Sequence, residues 1–292
     1  MKKLLLGIFI VSQSLLFAQN PSYKESWLQI NSLEKDGKVE TALERTNSLM
    51  QRAKSDKSYD ELIKAKIYHY RLYQINHEDA ESYILQDINN SIIQIPFPFD
   101  QVLQSYKAEL LSDYYKQNRW SRREQKQIDD PNQKDLSTWS LETIKDSIHT
   151  AHKNSIANPG KLVKFPNSEI DVLLNAKTIT RDFRPSIYDL LAGRYLEFLK
   201  DGSFFNSEFE AAKTEVSKEV LFATDSRFVN AEITDVENSK LLALRQYQEL
   251  ERIHSKDKGD VSLNYWKLQR IEFVHAEFHD DLTSRLYLNY CK

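Results

Sequence analysis

The sequence predicts an all-α protein, with antiparallel helical pairs set in a curved, tetratricopeptide-like array. Three observations carry this. Apolar residues recur at spacings of three and four through most of the chain. Only 6 Gly and 7 Pro occur among 292 residues, too few for the many tight turns of an all-β protein. The 15 Tyr and 14 Phe supply bulk for the seams between helices. With 40% hydrophobic and 28% charged residues, the composition is that of a globular chain rather than a disordered one. At about 100–200 residues per domain, it makes one large domain or two small ones.

The first residues read as a secretory signal peptide spanning 1–18. Met1-Lys2-Lys3 is a basic start, Leu4 to Phe17 is mainly apolar, and Ala18 is a small residue before the cut. The segment is too short for a spanning helix, and no later run approaches ~20 apolar residues. The mature chain is therefore expected to be exported, to the periplasm or cell envelope of a bacterium, with no transmembrane segment. Cys291, the sole cysteine, allows no internal disulfide. It has no base or oxyanion donor nearby that would make it a nucleophile.

After the signal, Tyr23, Trp27, Ile30 and Leu33 form one helical stripe, ended by Asp36-Gly37. Val39, Ala42, Leu43, Thr46, Leu49, Met50 and Ala53 form the second. The next pair carries Leu62, Ile63, Ile67, Tyr70 and Tyr73, then Ala80, Ile84, Ile88, Ile92 and Ile95, with Asp79 as N-cap. Pro96-Phe97-Pro98 stops that run. A long helix with Val102, Leu103, Tyr106, Leu110 and Tyr114 follows, to about Trp120. Ser137 or Thr138 is expected to cap a helix holding Trp139, Leu141, Ile144 and Ile148. Trp120 and Trp139 are both expected in the core.

Asn158-Pro159-Gly160 marks a break, and 155–183 is the least regular stretch. A soft boundary there divides a first helical region, 19–154, from a second, 155–292, packed on it. Pro185 suits a first helical turn, and Ser186 with Asp189 resembles a capping box, with Arg184 as the alternative cap. Leu190 to Leu199 gives that helix its apolar side. Val220, Leu221 and Phe222 read as a short strand or extended loop. Two more helices follow, on Leu241 to Ile253 and Leu263 to Phe278, and the chain stops within a last one, Leu282 to Tyr290. Some pairs span about 35–40 residues, near tetratricopeptide length, but the consensus of that repeat is not kept.

The search for chemistry assigns no catalytic, cofactor-binding or metal-binding residue, and no cofactor. There is neither a Gly-rich phosphate loop nor a GxSxG elbow. His275 and His279 share a helical face at i, i+4, but Glu277 is not in the HExxH position. His69 and His77 lack companions at ligand spacing and read as polar surface residues. Asp129-Asp130 and Asp280-Asp281 read as solvated loop charges. Arg119, Arg122, Arg123 and Lys126 read as cations at a helix C-terminus. With a net charge of −3, nucleic acid is not favoured as a partner.

An ordered set of segments has a family look: Ser105 to Ala108, Tyr114 to Trp120, Asp135 to Trp139, Arg184 to Leu191, and Leu244 to Leu250. Together with the Trp27 and Ala42-Leu43 helices, it resembles the N-terminal helical region of very large exported bacterial alpha-2-macroglobulin-like proteins. The resemblance covers nearly all of the mature chain. It implies a non-catalytic helical module ahead of β-sandwich macroglobulin domains, with a role in endopeptidase inhibition or envelope defence. The implied partners are those downstream domains, and proteases or envelope proteins. The thioester of covalent relatives is not carried onto Cys291, and the β-domains are not within these residues. Ending inside a helix suggests a fragment. The other reading is a free-standing periplasmic helical-repeat scaffold that binds protein.

Overall fold

The computed structural model describes residues 21–123, 135–174, 181–205, 216–234, 238–278 and 280–291. The signal peptide, Lys126, Asp129-Asp130 and His279 lie outside them. Among the described residues the regular structure is helical, and the one extended pairing is an isolated antiparallel bridge between Pro166 and Ser186.

Helix α1 (Tyr23–Lys35) opens with a capping box, Ser22 and Glu25 each serving the other's backbone N–H. Gly37, at φ +73°, turns the chain so that the Lys38 N–H reaches back to the Leu33 carbonyl. Helix α2 (Val39–Asp56) follows. It ends the same way with Lys57 in the left-handed region, which costs a non-glycine residue strain that the Ser58-to-Ala53 bond offsets. Helices α3 (Tyr59–Asn76) and α4 (Ala80–Gln94) make the next pair. Asp79 stands at the N-cap of α4, but its side chain makes no capping bond. Lys66 on α3 instead ties to Asp87 on α4 at 2.8 Å.

Helix α5 (Phe99–Asn118) starts after Pro98, as the proline break requires. The expected cap at Ser137 or Thr138 is one turn early. Residues Leu136–Thr138 form a 3₁₀ turn capped by Asp135, and Ser140 caps α6 (Leu141–Ser155) through the Thr143 N–H. Trp139 thus precedes its helix. The irregular stretch contains α7 (Pro159–Leu162) and a 3₁₀ segment, Asn167–Leu173. The Asn158-Pro159-Gly160 break is therefore a helix start, with proline in the first turn.

Helix α8 (Ile187–Lys200) begins at the Ser186–Asp189 capping box. Val220-Leu221-Phe222 is not a strand. Val220 and Leu221 belong to α9 (Lys218–Leu221), whose N-cap is Ser217 and whose C-cap is Phe222. The one-turn α10 (Ser226–Val229) follows, then α11 (Ser239–His254), α12 (Val261–Glu277) and α13 (Asp281–Tyr290).

Packing follows chain order. Each of α1 to α5 lies on its successor, α6 then contacts α8, α8 contacts α11, α11 contacts α12, and α12 contacts α13. A small apolar cluster of Trp27, Ile30, Ala42, Leu49, Ala65 and Leu72 holds α1 and α2 to the outer face of α3. A second, continuous core runs from Ala53 to Phe278 and includes Trp139, at 6% exposure. Each buried Leu or Ile side chain contributes about 1.5–3 kcal/mol relative to exposure. Trp120 is a correction: it is 74% exposed, lying under the Arg119 guanidinium at the end of α5. The helical period continues to that point, but no element among the described residues covers the helix end there. No helix among the described residues is long and apolar enough to cross a membrane.

Candidate functional site

Two polar knots occupy the second half of the core. The first starts at the α8 capping box. Asp189, fully buried, accepts from the Ser186 N–H (3.1 Å) and hydroxyl (2.6 Å) through Oδ2. Its Oδ1 faces His254 Nε2 at 2.6 Å and accepts from the Trp266 indole at 3.1 Å. The other ring nitrogen, Nδ1, faces Asp257 Oδ2 at 2.6 Å. Burial alone would pull the His254 pKa down. The bonds and charges of Asp189 and Asp257 outweigh it and hold the pKa above the usual histidine value. Both ring nitrogens therefore act as donors to carboxylates. Ser186 Oγ bonds Asp189 and not His254, so the trio lacks the nucleophile-to-base contact of acyl transfer. It locks the start of α8 to the end of α11 and to α12.

The second knot is Arg270. Its Nε donates to Glu251 Oε1 at 2.7 Å, its Nη2 to the Ala223 carbonyl at 2.8 Å, and its Nη1 to the Leu221 carbonyl. The guanidinium also lies 4.0 Å over the Phe228 ring. One buried arginine thus fastens the α9–α10 segment to the α11–α12 seam. The Ser186–Asp189 and His254–Asp257 pairs are three residues apart, but the pairings that join the helices span 19 positions for Arg270 with Glu251 and 65 for His254 with Asp189, and only the fold reveals them.

A cleft of about 520 Å³ lies between α3, α5, α8 and the 167–173 segment. Ile67 comes from α3, Val102 and Tyr106 from α5, and Leu190 and Leu191 from α8. Ile170, Leu173 and Leu174 close the remaining apolar side. Burial, with Glu109 and Asp113 nearby, pushes the Tyr106 hydroxyl up to about 12, so it stays a neutral donor. Two arginines line the wall. Arg194 is already engaged by Glu109 and by Ser105 Oγ at 3.2 Å. Arg184 donates through Nε to the Tyr265 hydroxyl at 3.0 Å and lies 5.3 and 5.4 Å over the Tyr265 and Trp266 rings. Gly193 makes room for it, since a Cβ there would stand 3.2 Å from Arg184 Nη1.

The residues singled out in the sequence do not converge on this cleft. His275 stacks on Tyr287 with centroids 4.2 Å apart, and its expected companion His279 lies outside the described residues. No group of three or more potential metal ligands occurs among the described residues. Cys291 is exposed. His69 is not a surface residue: it is buried and stacked on Tyr73, and burial lowers its pKa. His77 also stacks on Tyr73, at 3.7 Å. Asp280 is not a free loop charge, because it caps α13 in a capping box with Thr283 and pairs with Lys218. Arg122 donates to the Leu136 and Ser137 carbonyls, the latter at 3.0 Å, so it pins the turn before Trp139. Two of the segments singled out in the sequence, Arg184 to Leu191 and Leu244 to Leu250, meet where the Gln246 amide donates to the Tyr188 hydroxyl at 2.9 Å.

No family model, curated protein or solved structure matches this chain.

Proposed function

We propose that this chain is a non-catalytic helical docking module of an exported alpha-2-macroglobulin-like envelope protein, serving endopeptidase inhibition or envelope defence. The observation that supports a scaffold role is the use of the deepest charges. Asp189, His254, Glu251 and Arg270 bind one another and backbone carbonyls between helices, away from the cleft. Catalytic acids and bases need to meet a substrate, and these are committed to seams. The remaining support is the ordered set of family-like segments, of which Arg184 to Leu191 and Leu244 to Leu250 form the α8–α11 contact.

The test is an immunoblot against this region on periplasmic and envelope fractions of cells that carry the gene, followed by mass spectrometry of the band. The proposal expects a polypeptide several times longer than 292 residues, in those fractions, with peptides from β-rich domains on the same chain. A band of about this chain's own length would favour the free-standing periplasmic scaffold. A cytoplasmic band would contradict both readings.

A further inference from the structure

The chemistry of the 520 Å³ cleft narrows what it holds, independently of the docking role. Its volume falls in the range of about 300–1,000 Å³ that accommodates small molecules. Most of the lining is aliphatic, and it comes from four separate elements. Against this apolar surface stands one half-buried guanidinium without a carboxylate partner. Arg184 has no ion pair within 4.0 Å among the described residues, whereas Arg194 is paired with Glu109. Arg184 is also held in place: Tyr265 takes Nε and Nη2, the Trp266 ring lies beneath it, and Gly193 lets it lie close on α8. A fixed, partly desolvated guanidinium binds an anion more strongly than a solvated, mobile one. Glu109 is neutralised by Arg194, but Glu197 also lines the cleft, and its charge disfavours a second negative charge on the ligand.

We propose that this cleft binds a monocarboxylate with an apolar body, its carboxylate on the Arg184 guanidinium and its body along Ile67, Val102 and Leu173. No covalent step is involved. The carboxylate takes N–H donors left over after Tyr265, and the body displaces water from the aliphatic wall.

The test is isothermal titration of the full chain with decanoate, decanol and decyl phosphate. Saturable, single-site binding of decanoate is expected, with decanol and decyl phosphate each at least about tenfold weaker. Arg184→Gln is expected to weaken decanoate by at least about tenfold while leaving decanol unchanged. Ile67→Glu, on the half-buried aliphatic wall, should weaken decanoate and decanol alike, because it puts a charge where the apolar body lies. Thermal melts of both variants check folding. If Arg184→Gln does not fold, the wild-type comparison of decanoate with decanol and the Ile67→Glu variant decide. Equal binding of decanol and decanoate, tighter binding of decyl phosphate, unchanged binding in a folded Arg184→Gln, or no saturable heat would each overturn the proposal.

Discussion

Arg270 and Glu251 stand 2.7 Å apart between α11 and α12, and neither side chain reaches solvent. The pair is asymmetric. Arg270 is satisfied by Glu251 and two carbonyls, while Glu251 Oε2 has no partner and burial pushes the carboxyl pKa up against the opposing charge of Arg270. Arg270→Met is expected to cost about 3–5 kcal/mol, because it leaves a buried carboxyl and two carbonyls unmet. Glu251→Gln keeps an acceptor for Nε and is expected to cost only about 1–2 kcal/mol. Urea unfolding of both variants reads the difference. Equal costs would mean that the carbonyls of the α9 segment contribute nothing.

His152 presents the opposite case from His254. Burial, then the charge of Arg194, drives its pKa down to about 3, and it stacks on Tyr195 and Phe198 as a neutral ring. A histidine held neutral gives stability that is present above the unfolded value of about 6.5 and lost as pH falls toward the folded value. Its Nδ1 is also buried without a partner. His152→Phe is expected to retain or raise stability at pH 7 and to lessen its loss between pH 6 and 4. Thermal melts across that range check it. A variant as acid-sensitive as the wild type would contradict the assignment.

The two tryptophans of the central stretch should separate cleanly. Trp139→Ala removes a buried ring and is expected to cost about 3–5 kcal/mol. Trp120→Ala changes an exposed ring and is expected to stay within about 0.5 kcal/mol. Trp139→Phe should cost less than the alanine change, because the indole N–H has no acceptor to lose. Equilibrium unfolding of the three variants is the check.

Much of this fold was legible because helical periodicity is local. The stripes of α1 to α6, the Asp36-Gly37 turn, the proline break before α5 and the Ser186–Asp189 cap all follow from residues within one or two turns of each other. Where the reading went astray, a distant contact decided. Trp120 continues the α5 pattern, yet among the described residues it is left 74% exposed, with Arg119 of the same helix end over its ring. Val220 to Phe222 has a strand-like composition, but Arg270, far along the chain, takes the carbonyls of Leu221 and Ala223 and the segment turns helical. His69 has no ligand-spaced companion in sequence, but α3 buries it beside Tyr70 and Tyr73. The cleft and both knots join residues from elements far apart in sequence, so no spacing pattern announces them.

The central claim is that the interior charges of this chain act as seams, and His254 tests it most directly. Its raised pKa means that the charged ring favours the folded state, so this stability is fully present below the unfolded value of about 6.5 and is lost as pH rises through the folded value. The measurement is urea unfolding of the wild type and His254→Gln at intervals from pH 6 to pH 9. The wild type should be more stable by about 3 kcal/mol at pH 6, with the gap narrowing steadily as pH rises. A gap that stays constant, or widens toward pH 9, would contradict a charged histidine clamped between Asp189 and Asp257.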